Sequence, residues 1–369
     1  MSVVAVLNVQ CETAKQYAVE VLVVLDRPSS ERWEATATSA GNVLDQEVRS
    51  LMHEVNLVYR GLTSQGLDIH IRLADDRVMY VDEDIVCRKR ATCSNRVDSV
   101  MALQLFHGFT MALSVNFDLA LFFSGHDFSD PVVGRAELGG VCKRGVAIVA
   151  PFYGIAQVQN IAHEIGHLLG LRHDGAKDAC SSHHGFVMRK NGSPLDPNAH
   201  FFSSCSADAL ASLLSKFDCL SPENSVSIVS TRFGHLVGAD ETCRRANGKH
   251  LSRYNYYNGN YMGLCRSLMC EQSLYVRSDV HFNVAGIPAR TPDGMQCGSK
   301  RACHGGKCVL DPSVNVTWNK HCPFGDTPGP ISRDITSCQV ARRRGKCIFP
   351  LWKDVCCVAC FPKRKLPFG

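Results

Sequence analysis

His163, Glu164, His167, Gly170, His173 and Asp174 stand together in one string, HEIGHLLGLRHD. Positions four apart share a face of an α-helix, so a helix through this string presents His163 and His167 to one point. A glycine takes a left-handed conformation without a Cβ clash, so Gly170 can end the helix and bend the chain to return His173 to the same point. Three neutral imidazoles with an open fourth position form the ligand set of a catalytic zinc ion rather than a structural one. Glu164 is then the natural general base. It takes a proton from the zinc-bound water, whose pKa falls towards about 7, and later passes it to a leaving amine. The chemistry this set of groups offers is metal-assisted hydrolysis, with an activated water attacking a polarised carbonyl. The spacing HExxHxxGxxH arises by chance about once in tens of thousands of chains of this length, which outweighs five residues placed only for packing.

Other histidines carry less. His183 and His184 lie in a loop bounded by Ser and Gly and read as solvated, and His107 and His126 flank predicted elements without an assignable partner.

The string needs a scaffold. Residues Ile155 to Ala162 suit a helix running into it. Upstream, Tyr17 to Asp26 (YAVEVLVVLD) reads as a buried strand, and Gly41 to Tyr59 repeats Val43, Leu44, Val48, Leu51, Met52 and Val55 at helical spacing. Leu67 to Leu73 alternates as a strand, Val97 to Leu113 reads as a helix and Phe117 to Phe123 as another buried strand. A further helix spans Ala207 to Leu214. Strands alternating with helices predict an α/β domain with a mixed sheet.

Cysteine divides the chain. Of 19, six (Cys87, Cys93, Cys142, Cys180, Cys205, Cys219) fall between Gln16 and Ser221, and twelve lie from Cys243 to Cys360. Density of that kind points to an oxidising, extracellular compartment, and the paired CxxC units of zinc knuckles are missing. After Pro222 long periodic segments vanish, which predicts small disulfide-stapled modules with little regular structure. Asn315-Val-Thr317 is a glycosylation acceptor pattern. No run of about 18 apolar residues exists to span a membrane. A net charge of +5 without a basic helix gives no support for nucleic-acid binding. Residues 1–15, with the odd Cys11, read as an incomplete or processed N-terminus.

The string HExxHxxGxxHD, followed by Met188 in GFVMRKNGSP, resembles the metzincin clan and, by the Asp after the third histidine, its reprolysin branch of adamalysins, ADAMs and ADAMTS proteases. The resemblance implies a zincin-like catalytic domain over 16–222 with an active-site helix, and places Met188 in a methionine turn beneath the zinc. FFSSCSADALASLLSKFDCL resembles the segment closing ADAMTS catalytic domains. By that likeness Cys142 pairs with Cys219 and Cys180 with Cys205, leaving Cys87 and Cys93. The branch often carries a structural Ca²⁺, and Glu20, Asp118 and the Cys219 carbonyl match its ligands, although Ser221 stands where Asn or Asp is usual. A strand-end carboxylate in solvent or in a salt bridge is the competing account of Glu20 and Asp118. ADETC, CRSLMC and DGMQCGSKRACHGGKC resemble a disintegrin-like module over 230–311, with six cysteines in place of eight and no RGD. Residues 318–362, ending in CCVAC, resemble a PLAC module. No thrombospondin repeat is present, and short reprolysins of this layout resemble the salivary metalloproteases of ticks.

These likenesses imply a secreted metalloendopeptidase acting on matrix or plasma proteins such as gelatin, fibronectin or fibrinogen. Arg342-Arg343-Arg344 reads as a solvated basic loop, and the tail Lys363-Arg364-Lys365 suits acidic glycosaminoglycans. Two rivals stay open: an adhesion protein with a vestigial protease, and a processing protease for one partner.

Overall fold

A computed structural model describes residues 15–36, 43–87, 96–150, 157–175, 180–192, 196 and 198–220. Beyond these it describes 232–236, 239, 242–243, 252–254, 265, 268–276, 279–289, 291–298, 300–314, 334–349, 352–353 and 356–360. The chain forms two compact units that divide near residue 230.

The first unit is built on a five-stranded sheet. Strand β1 (Lys15–Asp26) leads into α1 (Arg27–Thr36), and α2 (Val43–Arg60) into β2 (Leu67–Val81). A two-residue β3 (Arg96–Val97) precedes α3 (Ser99–Met111) and β4 (Leu119–Phe123). There follow β5 (Asp127–Phe128), β6 (Gly134–Ala136), β7 (Gly145–Val149), α4 (Gln157–Leu168) and α5 (Ser204–Leu214). The sheet order is β2-β1-β4-β7-β6. Its first four strands run parallel and β6 pairs antiparallel with β7. This is the mixed α/β sheet that the alternation of elements predicts.

Parallel strands covered on both faces read as unbroken apolar runs, and LALFF and GVAIV, the whole of β4 and β7, are buried. In α2 the helical repeat Val48, Leu51, Met52, Val55 and Tyr59 is fully buried. Across the sheet, Phe106 of α3 stacks on Phe122 of β4 with ring centroids 5.1 Å apart.

Three elements depart from the sequence expectations. β2 continues past Leu73 because the polar run ADDR bulges instead of ending the strand: Asp75 and Asp76 take left-handed φ of 51° and 50° while pairing resumes at Val78. Helix α1 has no apolar period, yet Trp33 is buried and donates from Nε1 to Glu47 of α2 at 2.8 Å.

The third departure concerns the second unit, which holds more regular structure than its cysteine-rich composition predicts. Strands β8 (Ser252–Tyr254), β9 (Leu268–Val276) and β10 (Asp279–Ala289) form an antiparallel sheet. The alternation of Val280, Phe282 and Val284 is its sequence trace. Strands β11 (Gln296–Gly298), β12 (Arg301–His304) and β13 (Lys307–Leu310) form a smaller sheet pinned by Cys265–Cys303 and Cys297–Cys308. A short helix, Cys338–Arg343, is stapled by Cys338–Cys356, and Cys347–Cys360 lies beside it in sequence.

Candidate metal centre

Helix α4 carries the centre. Its apolar positions Val158, Ile161, Ala162, Ile165 and Leu168 are fully buried, and the side-chain amide of Gln157 donates to the carbonyl of Ala150, just past β7, at 2.6 Å. Tyr59 of α2 donates its hydroxyl to the carbonyl of Ala162 at 2.8 Å. The helix ends where Gly170 takes φ +97°. The Leu171 N–H reaches back to the Gly166 carbonyl and the Gly170 N–H to the His167 carbonyl, each at 2.9 Å. That pair of bonds is the Schellman cap.

The cap also serves the site. It leaves the Leu171 carbonyl 2.7 Å from Nδ1 of His167. His163 Nδ1 lies 2.7 Å from the carbonyl of Val187. A carbonyl can only accept, so both rings carry their proton on Nδ1 and turn the Nε2 lone pair inward. Nε2 of His173 is 3.2 Å from Nε2 of His163 and 3.2 Å from that of His167. Tetrahedral zinc with Zn–N bonds of about 2.0–2.1 Å requires nitrogens about 3.3 Å apart, so the donor set fits the ion by type and spacing. Burial, and next the charge of His167, hold His163 down at about 4, and burial is the leading cause of the lowered values of His167 and His173. All three rings are therefore neutral at physiological pH, the form in which imidazole can bind a metal.

Glu164 points away from solvent, 5% exposed. Burial, opposed by the charge of Arg135, pushes its carboxyl up to about 8 in the metal-free protein. Beside it lies Gly134 at the start of β6, where a Cβ would fall 2.5 Å from Glu164 Oε1. Met188 is fully buried under the helix, and a Cβ on Gly166 would lie 2.5 Å from its Sδ. The segment carrying Met188 is tied back through the Asp174 N–H, which donates to the Met188 carbonyl at 2.8 Å. Asp174 itself accepts from the hydroxyls of Ser203 at 2.7 Å and Ser206 at 3.0 Å at the start of α5. Its other carboxylate oxygen is buried without a partner among the described residues.

Cys180 is bonded to Cys205 in the first turn of α5, and Cys142 to Cys219. Cys87 is disulfide-bonded, while Cys93 lies outside the described residues, as do Asn315, Ser221 and the tail Lys363-Arg364-Lys365. Glu20, in the middle of β1, and Asp118, just ahead of β4, lie side by side. The Glu20 N–H donates to the Asp118 carboxylate at 2.8 Å, and the Asp118 N–H to the Glu20 carbonyl at 2.9 Å. The Asp118 carbonyl accepts from the Cys142 N–H at 3.1 Å, which brings the Cys142–Cys219 bridge to the same place. Burial, and then the charge of Glu20, push Asp118 up to about 6.

His183 and His184 are exposed on a short 3₁₀ turn. His107 and His126 do have partners, namely Glu137 at 2.5 Å and Asp84 at 2.9 Å. Sequence reasoning missed Tyr59, the Val187 carbonyl and Gly134. Tyr59 looks like any core residue of α2, backbone carbonyls leave no trace in sequence, and Gly134 sits in GRAELGG without a period.

Comparison with known proteins agrees with this geometry. A family model described as Metallo-peptidase family M12, of reprolysin type, matches residues 15–207. Human "A disintegrin and metalloproteinase with thrombospondin motifs 13" is 29% identical over 248 residues, covering 62% of this chain and 17% of the relative. The rat protein with thrombospondin motifs 1 is 29% identical over 224 residues, covering 56% of this chain and 21% of its own length. The mouse protein with thrombospondin motifs 4 is 29% identical over 210 residues, covering 53% and 24%. The chain thus spans only 17–24% of these relatives. The family match takes in over half of the 369 residues and includes all three converging histidines and Glu164: the chain belongs to metallo-peptidase family M12.

Proposed function

We propose that this chain is a secreted zinc endopeptidase that hydrolyses internal peptide bonds of extracellular matrix or plasma proteins, of the gelatin, fibronectin and fibrinogen class. The observation that carries the reading is the convergence of three Nε2 atoms, with His173 3.2 Å from both His163 and His167, beside a buried Glu164. Zinc held by His163, His167 and His173 would polarise the scissile carbonyl and acidify a water molecule.

The chain's own groups do the rest. Glu164 accepts the proton of the attacking water on its carboxylate and releases it to the amine as the C–N bond breaks. Strand β6 positions the substrate. Val133 O accepts from Ala150, just past β7, and Glu137 N–H donates to Val146 of β7. By alternation the N–H and C=O groups of Gly134 and Ala136 face the edge of the sheet that no described strand pairs. An extended peptide can pair with that edge as an added strand.

Extracellular residence is supported by the disulfides and by the fact that no helix among the described residues is long and apolar enough to cross a membrane. The reading assigns 16–222 to the peptidase, 230–311 to a disintegrin-like module and 318–362 to a PLAC-like module, with glycosaminoglycans as a further partner of the basic tail. It assigns Ca²⁺ to Glu20, Asp118 and the Cys219 carbonyl, which the raised Asp118 supports, since two neighbouring carboxylates invite a cation.

The test is cleavage of gelatin and fibrinogen by the purified chain, with and without a zinc chelator, beside Glu164→Ala. Chelator-sensitive cleavage that the variant lacks is expected. A folded, zinc-loaded chain that cleaves neither protein sinks the broad matrix-degrading reading and favours the processing enzyme or the adhesion protein.

A further inference from the structure

Glycine inside a strand weakens it by roughly 0.5–1 kcal/mol relative to alanine, so a strand glycine calls for a reason. At Gly134 the backbone supplies none: it pairs in register with Val149, and it is not among the glycines with positive φ. The reason lies in front of its Cα. An added Cβ would stand 2.5 Å from Oε1 of Glu164 and 2.8 Å from both its Cδ and its Cγ. We propose that Gly134 is a positioning residue for Glu164, and that the methyl group it lacks is the space in which the carboxylate is held. This rests on the peptidase reading above.

Two features carry the inference further. The backbone of Glu164 is fixed on both sides, because His163 is held through Nδ1 by the Val187 carbonyl and His167 by that of Leu171. Only the side chain can yield to an intruding methyl. The three atoms in the way, Cγ, Cδ and Oε1, belong to the side chain of Glu164 rather than to main chain. A substitution at Gly134 is therefore relieved by swinging the carboxylate aside, with the sheet and the three ligands left in place. The result is a folded, metal-competent protein whose base is off line. Displacing a catalytic group by about 1 Å costs up to about a hundredfold in rate. The rival role for Gly134, room for a peptide on the free edge, would burden substrate binding instead.

The experiment compares wild type, Gly134→Ala, Glu164→Asp and the double variant on a quenched-fluorescence peptide, with zinc affinity by chelator competition and Tm of the metal-free proteins. For Gly134→Ala we expect kcat to fall at least about tenfold. KM and zinc affinity should stay within about twofold of wild type, and Tm should be equal or higher, since alanine suits the strand better. In Glu164→Asp the carboxylate is one methylene shorter and clears the methyl, so Gly134→Ala should then cost less than about threefold. Equal cost in both backgrounds, a loss carried by KM, a Tm that falls in step with kcat, or an unchanged kcat would each overturn the positioning role. Absence of chelator-sensitive cleavage by wild type would overturn the peptidase reading and this inference with it. An active wild type with an equally active Gly134→Ala would overturn the inference alone.

Discussion

The hydroxyl of Tyr59, on α2, donates to the carbonyl of Ala162, one residue ahead of His163, across 103 residues of sequence. Burial holds this phenol far above its ordinary pKa, so it is always a donor. Its ring packs on Phe202 with centroids 4.9 Å apart. The helix that bears His163 and His167 is thereby fastened to its neighbour α2. Tyr59→Phe keeps the ring and deletes the bond, so it should lower stability by about 1 kcal/mol. Urea unfolding of the metal-free protein reads this directly, and an unchanged midpoint would show the bond to be inert.

Gly166→Ala should run against helix propensity. Alanine in place of glycine inside a helix ordinarily stabilises by up to about 1 kcal/mol. Here the new methyl would meet Met188 Sδ at 2.5 Å in a fully buried site, and overpacking of that kind costs about 1–3 kcal/mol. We expect a lower Tm and weaker zinc binding, because displacing Met188 disturbs Val187, whose carbonyl holds His163. A higher Tm would mean that Met188 has room to turn away.

Asp118 supplies a pH dependence with a definite sign. Its folded value is raised to about 6, against about 3.9 for an unperturbed aspartate. The native state therefore holds a proton that the unfolded chain has lost between those values, and stability falls as pH rises from about 4 to 6. In chelator, Asp118→Asn should remove that loss and gain on wild type across the same window. If the proposed Ca²⁺ site exists, added Ca²⁺ should reverse the order, because the variant would lack a charged ligand there. Parallel pH profiles for the two proteins in chelator would refute the buried-charge account.

The bond between Cys180 and Cys205 spans 25 residues of sequence. Constraining a loop of that length in the unfolded chain contributes about 3 kcal/mol. Replacing both cysteines by alanine should lower unfolding stability by about that amount. It should also loosen the segment that carries Met188, visible as faster hydrogen exchange at the Asp174 amide.

How much of this was legible beforehand varies by residue. The convergence of His163, His167 and His173 beside Glu164 could be read because helical spacing is a rule about neighbours in sequence. The cap at Gly170 was legible for the same reason: only a residue without a Cβ adopts its φ of +97° easily. Tyr59 and Gly134 could not be read, since their partners lie 103 and 30 positions away in the chain. β2 was read short because polar residues normally end an alternating strand, and here two aspartates in left-handed conformation carry the chain across the break.

Strand β6 is three residues long and closes one side of the sheet. A row of unpaired backbone groups is an invitation to any other extended chain, including a second molecule of the same protein, and long exposed edges seed aggregates. Three residues supply too few bonds to hold two copies together by main chain alone. A guest must add side-chain contacts of its own to stay, so the brevity of β6 limits how far main-chain pairing alone could join two copies.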